Sequence, residues 1–337
     1  MSSEAPSVNL RPMSVGEMLD RGFTVYLKNI LVLTGALVVV IIPTMLLQYL
    51  GSRDMLGFDI SMMTSALKNP TAPPPQPDMN QLTSAYISSL PFMGLSLLLT
   101  VIALPFANAA VIAGVSRSYL GERISLAECY RDAFRRWGHV LLLAILWIVA
   151  LLGAYIALVL FMVVLIFVMA ALGAVGARFP AVFAALMAIV IIPGFIWLLL
   201  TAQQLYMTWA LSFAAVIVEA VDPMKAFTSG FARVFTKGGY WRSFGVAAAV
   251  IGIIFALEII LGGLGVAVYL IFKPSPDAIA PLFYGIITLM QVIFTPLLFS
   301  IIAMYYYDAR IRREGFDLEH LARQLAGGGA AQPIAEA

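Results

Sequence analysis

Few side chains in this sequence are placed to do chemistry, and the best placed is Glu258. It is the one carboxylate deep inside a long apolar run, Phe244 to Phe272, with fourteen residues of the run before it and fourteen after. At about 1.5 Å per residue, a helix carries it near the middle of a bilayer. An isolated charge there costs on the order of 2.5–3.5 kcal/mol, so such a group calls for a partner, a neutral form or a wet cavity. Gly262 and Gly265 follow four and seven residues on. On a helix they share its stripe, and small residues let a neighbouring helix come close. That places Glu258 inside a bundle. Gln291 stands at similar depth in the next apolar run and is the natural hydrogen-bond partner. The pair could serve as interhelical glue, as a proton- or cation-coupled site, or as a contact for a lipid headgroup.

No other constellation points to catalysis. The chain carries no HExxH, no phosphate-binding loop, no nucleophile elbow and no paired cysteine ligands. Cys129 is the only cysteine, so there is neither an intramolecular disulfide nor a multi-cysteine metal site. It falls on an apolar helix face, as a packed thiol would. His139 and His320 are too few for a metal centre. Gly262-Gly263-Leu264-Gly265 lies inside an apolar run and lacks the strand–turn–helix context of a nucleotide fingerprint. Gln48, Asn108, Gln203 and Gln204 sit near the ends of apolar runs, where interfacial water satisfies them. The reading is of a protein that is not an enzyme, with no cofactor and no metal.

The elements that position these residues follow from composition. Apolar residues make up 62% and charged residues 11%, against about 25% charged in soluble domains, so the chain is a membrane protein. A net charge of +2 gives no field for nucleic acid. The stretch through Arg11 is polar, without the apolar core of a cleaved signal peptide.

One pattern occurs three times, beginning at Ser14, Ser125 and Asp222. Each of these is a good N-cap. Glu17 and Glu128 stand at the capping-box spacing, and Pro223 takes the first helical position. Apolar or small residues then recur at offsets 1, 4, 5, 8, 9 and 12, with Gly22, Ala133 or Gly230 followed at once by Phe23, Phe134 or Phe231. That spacing is one stripe of a helix. The opposite face is charged. Each copy is an amphipathic helix that feeds an apolar run.

Six spans are expected: Ile30 to Leu50, Phe92 to Val115, Val140 to Val175, Phe179 to Val218, Phe244 to Phe272 and Ile279 to Tyr305. Each has the roughly 20 residues that a crossing needs. Pro105, Pro193 and Pro296 put a kinking residue in each even-numbered span. Residues 51–91 read as a solvated connector with an extended proline run at 73–77. Tyr305-Tyr306-Tyr307 reads as an interfacial anchor. The fold class is therefore all-α integral membrane, with six transmembrane helices as three repeats of amphipathic helix plus helical hairpin. The chain divides into an N-terminal tail, 1–13; a single transmembrane domain, 14–326, with amphipathic helices at 14–29, 125–139 and 222–237; and a disordered Gly/Ala-rich tail, 327–337.

Of the 20 Lys and Arg residues, only Arg53, Lys68, Arg178 and Lys273 fall outside the N-terminus, the second and fourth connections and the C-terminus, which leaves sixteen within them. The positive-inside rule then puts both termini and the three amphipathic helices in the cytoplasm. Arg21, Lys28, Arg131, Arg135, Arg136, Arg233, Lys237, Arg310, Arg312 and Arg313 are the candidate interfacial residues, facing anionic headgroups of the lipid bilayer. The arginines after Tyr307 are expected to pair with acidic groups of the amphipathic helices.

Two stretches resemble a known family. Leu10-Arg11-Pro12-Met13-Ser14-Val15-Gly16-Glu17-Met18-Leu19-Asp20-Arg21-Gly22-Phe23 is similar to the N-terminal signature of a bacterial polytopic membrane family, labelled the glycerophosphoryl diester phosphodiesterase membrane domain. Tyr306-Tyr307-Asp308-Ala309-Arg310-Ile311-Arg312-Arg313-Glu314-Gly315-Phe316-Asp317-Leu318-Glu319 is similar to its C-terminal end. The resemblance implies the bacterial plasma (inner) membrane and six helices. It supplies no activity, because no soluble domain follows residue 305. The expected function is that of a non-enzymatic scaffold or inner-leaflet lipid-handling protein, with a membrane-protein partner or a second copy as possible company. The alternative is a transporter or channel for a small solute or lipid, using Glu258. A transporter requires a polar cavity near the midplane, and a lipid handler requires a lateral opening between spans.

Overall fold

The computed structural model describes residues 11–68, 79–176, 179–272 and 276–318. The proline run 73–77, Arg178, Lys273, His320 and the tail 327–337 lie outside them. Among the described residues all regular structure is helical: α1 (Val15–Lys28), α2 (Ile30–Lys68), α3 (Met79–Leu98), α4 (Leu104–Tyr119), α5 (Leu126–Arg135), α6 (Trp137–Gly176), α7 (Pro180–Ala214), α8 (Pro223–Val234), α9 (Gly239–Phe272) and α10 (Pro276–Glu314). A π-helical turn, Leu99–Ala103, joins α3 to α4, and a second, Ala215–Glu219, ends α7. Five helical stretches among the described residues are long and apolar enough to cross a membrane: Ile30–Arg53, Met79–Tyr119, Trp137–Val168, Gly239–Gly265 and Tyr284–Glu314. The expected fourth span coincides with α7, a helix of 35 residues.

The connector expected over 51–91 is instead largely helical. α2 runs unbroken through Pro43 to Lys68, and α3 starts at Met79. Gly51 does not interrupt α2, because an added Cβ there would meet Phe92 Cβ at 3.2 Å. The glycine lets α3 lie close, and that packing carries the helix on.

The three short helices begin where the sequence caps them. Ser14 accepts from the Glu17 N–H at 3.2 Å, and the Glu17 carboxylate accepts from the Ser14 N–H at 2.8 Å, which closes a capping box. Ser125 accepts from the Glu128 N–H at 3.3 Å and donates its hydroxyl to the Glu128 carboxylate at 2.9 Å. Asp222 departs from expectation. Its backbone is that of an N-cap, but its side chain caps nothing. The carboxylate faces Lys225 and His139 instead, each at 3.9 Å.

The chain forms two compact units, Met1–Trp137 with Ala248–Ala337, and Gly138–Ala247. In the first, α2, α4 and α10 pack on one another, α1 lies on α10, and α5 lies on α4 and α2. Gly22 makes the α1 contact possible, since an added Cβ would stand 2.6 Å from Ile301. Tyr305, Tyr306 and Tyr307 are almost fully buried, and this corrects their reading as an interfacial anchor. They point into the packing of α10, where Tyr307 stacks near Tyr119 at 4.8 Å and shares a hydrogen bond with Ser116. Residues 11–13 are more than a tail. Met13 is fully buried, its N–H donates to Asp308 at 2.7 Å, and Arg312 donates to its carbonyl at 3.3 Å. Within α10 itself, i,i+4 spacing brings Arg310 to Glu314 and Arg312 to Asp308.

In the second unit α8 lies on α7. Gly230 permits this, because its added Cβ would stand 2.7 Å from the Thr208 carbonyl. Gln204, placed by sequence at a wet span end, is fully buried: it accepts from Ser243 at 2.7 Å and donates to the Tyr240 carbonyl at 3.2 Å.

Candidate functional site

Glu258 lines a groove of about 460 Å³ between α9 and α10. The helical period builds both walls. Ile254, Glu258 and Gly262 recur every four residues on α9, and Ile287, Gln291, Phe294 and Leu298 follow on one stripe of α10. Thr295, one turn after Gln291, adds a hydroxyl. The wall is otherwise apolar, and no Lys, Arg or His among the described residues lines it.

Two expectations change here. Glu258 is exposed to the groove instead of being enclosed in a bundle, and Gln291 is exposed too. They line one groove without a hydrogen bond joining them. Gly262 was expected to seat another helix, yet nothing would lie within 4 Å of a Cβ added there. The missing side chain opens volume beside Glu258. Contact comes at Gly265, whose added Cβ would stand 3.2 Å from Ile286.

Gln291 also lines a second cavity, of about 140 Å³, with Thr44, Gln48 and Thr100. Thr100 lies in the π-helical turn before α4, and such turns recur at functional sites. The two threonine hydroxyls donate to backbone carbonyls of their own helices, Thr44 to Val40 at 2.7 Å and Thr100 to Ser96 at 2.9 Å. Thr295 could have been found from its i+4 spacing to Gln291. Thr44 and Thr100 could not, since nothing local in the sequence joins α2 and the π-helical turn to α10.

The candidate interfacial residues divide. Lys28, Arg131, Arg135, Lys237, Arg312 and Arg313 are exposed, and Arg21 and Arg136 are half-buried. Arg21 donates to the Tyr119 hydroxyl at 3.3 Å. Arg233 is buried, with its side chain 4% exposed and paired to Glu219, so it does not face lipid. Arg310 is largely covered, pairing with Glu314 and lying 4.2 Å over the Phe316 ring. The partner of Arg310 lies one turn on in the same helix, whereas Glu219, the partner of Arg233, is brought to it from the π-helical turn after α7. Cys129 is buried, and burial pushes its thiol up to about 11, which suits a packed, unreactive side chain. Among the described residues no group of three His, Cys, Asp or Glu could hold a metal. No family model, curated protein or solved structure matches the chain.

Proposed function

We propose that this chain is a non-enzymatic, multi-pass protein of a bacterial plasma membrane that handles a lipid or lipid-like amphiphile entering sideways between α9 and α10. The observation that carries the reading is the groove itself, a largely apolar slot of about 460 Å³, open enough to expose Glu258 and Gln291, with Gln291 and Thr295 one turn apart on its α10 wall. A filled scaffold has no use for such a slot. In this reading α7 is the sixth span, and the sequence pattern makes three repeats. Both termini and the exposed Lys28, Arg131, Arg135 and Lys237 face anionic headgroups on the cytoplasmic side. The resemblance of the two chain ends to a bacterial membrane family supports the location.

A second reading, transport across the bilayer, is favoured by one observation: Gln291 lines the inner cavity with Thr44, Gln48 and Thr100 as well as the groove. The test is native mass spectrometry of the protein released from lipid nanodiscs. Lipid adducts are expected on the unaltered chain and should be lost in Gly262→Leu, which fills the slot without touching a charge. Equal adducts on both would overturn the groove as a lipid site. Movement of labelled lipid between leaflets of reconstituted vesicles would select transport over handling within one leaflet.

A further inference from the structure

We propose that the ligand of the α9–α10 groove is a lipophilic cation: an amphiphile with one ammonium-type head, no phosphate, and an apolar or aromatic body, drawn from the bilayer. This rests on the lateral-groove reading and goes beyond it by naming the head chemistry. Three observations converge. Glu258 is the sole ionisable group among the described residues lining the slot, so its carboxylate form has no Lys, Arg or His on the wall to balance it. Gln291 and Thr295 present an amide oxygen and a hydroxyl oxygen on the facing wall, both able to accept from an N–H. Phe294 lines the groove on the same stripe, and an aromatic ring is a favourable neighbour for a cation.

Charge balance decides between head classes. A single cation neutralises the carboxylate and removes the cost of a lone charge in hydrocarbon. An anionic head doubles the charge that must be buried. A zwitterionic phosphate head returns the net charge to minus one and leaves its phosphate facing a wall without Lys, Arg or His. Gly262 supplies the room, because the space beside Glu258 that a side chain would take is empty. The apolar residues Ile254, Ile287 and Leu298 take the body of the ligand.

The test uses the full chain in nanodiscs and two probes of matched shape and opposite charge, tetraphenylphosphonium and tetraphenylborate, each corrected for uptake by protein-free discs. Saturable tetraphenylphosphonium binding is expected, with an affinity about tenfold or more above that for tetraphenylborate, since the two probes differ only in the sign of the charge they bring towards the carboxylate. Glu258→Gln should abolish the preference while the protein elutes and melts as before, and Glu258→Asp should retain it. Gly262→Leu should weaken both probes. Equal binding of the two probes by the unaltered chain overturns the cation assignment, and that comparison needs no variant to fold. Unchanged preference in Glu258→Gln overturns it as well. If tetraphenylborate binds as tightly as tetraphenylphosphonium or more so, and Gly262→Leu weakens both, the groove stands and its head chemistry is wrong. If Gly262→Leu changes neither probe nor the lipid adducts, the groove reading itself fails.

Discussion

The packing of α5 on α4 and of α8 on α7 springs from the same sequence pattern, yet the two pairs make their contacts with different residues. On α4 the charge is Arg117, which meets Asp132 of α5 at 2.7 Å. At the end of α7 the charge is Glu219, which meets Arg233 of α8. The signs are exchanged between partners. The close approach is exchanged too. Gly230 sits on the short helix against Ser212 and Thr208, whereas Gly114 sits on the long helix against Cys129, where an added Cβ would stand 2.8 Å from Sγ. The connecting turns differ as well: α4 leaves through Gly121 with φ 86°, and α7 through its π-helical turn and Ala220 with φ 64°. Phe134 stacks on Phe106 at 5.1 Å, and Phe231 on Trp147 at 5.8 Å. What recurs within each pair is a charge pair and a point of small residues; the aromatic contact stays within the pair for α5, but for α8 it is made to Trp147 of α6. Either helix can supply each part. α1 on α10 shares the close approach, with Gly22 against Ile301, while Asp308 holds the Met13 N–H just before α1.

The charge pairs should give the largest difference between the two regions. Arg233 and Glu219 are 4% and 15% exposed, while Arg117 and Asp132 are 28% and 27% exposed. Arg233→Ala strips a mostly buried carboxylate of its cation, which costs about 3–5 kcal/mol. Asp132→Ala breaks a partly solvated pair and should cost about 1 kcal/mol or less. Thermal or denaturant unfolding in detergent measures both, and equal losses would show that burial does not distinguish the two pairs.

The close-approach points come next. Gly230→Ala drives a methyl against the Thr208 carbonyl, a backbone atom that cannot swing away, and overpacking of this kind costs about 1–3 kcal/mol. Gly114→Ala meets the side-chain atoms of Cys129 and Leu33, which can shift, so its loss should be smaller. Ala133→Gly, at the offset equivalent to Gly230, should cost only about 0.5–1 kcal/mol, the ordinary penalty for glycine in a helix. If Gly114→Ala proves the more damaging alanine, backbone contact is not what fixes α8 on α7.

Helix existence was legible in the sequence, because caps and the 3.6-residue period are local signals. Ser14, Ser125, Pro223 and the apolar stripes located all three short helices to within a few residues. What each short helix would rest on was not legible. The sequence suggests that it serves the apolar run it feeds, whereas α5 rests on the preceding α4, α8 on the preceding α7, and α1 on α10 at the far end of the chain. Only tertiary contact decides that, and Met13 with Asp308 is such a contact across 295 residues. Tyr305 to Tyr307 were misplaced for the same reason, since an aromatic run beside arginines looks alike at an interface and in a core. That Glu258 lies within a long apolar helix was readable. Its groove was not, because a glycine four residues away signals close packing and open volume equally well.

The smallest effects are expected at the caps, and they separate the three copies most finely. Ser14→Ala and Ser125→Ala each remove a hydrogen bond to an exposed helix N–H and should cost about 1 kcal/mol. Asp222→Ala removes no cap bond, only two exposed and distant charge contacts, and should cost a few tenths of a kcal/mol at most. The first copy should also respond to acid. The Ser14 N–H bonded to the Glu17 carboxylate lowers its pKa; desolvation is the next largest effect and opposes it, and Arg11, the Ser14 hydroxyl and Arg21 add to the lowering. A pKa lower in the folded than in the unfolded state means that the contribution is complete above the unfolded value. It is then lost as pH falls through the lowered folded value. Glu17→Gln keeps a side chain able to accept the Ser14 N–H but removes the titration. Melting of this variant against the unaltered chain, followed from neutral pH down to about pH 3, should show the gap between them closing as the solution is acidified. A gap that stays constant across that range would mean the capping box of α1 does not depend on the charge of Glu17, and would leave Ser14 alone as the difference between the first helix and the third.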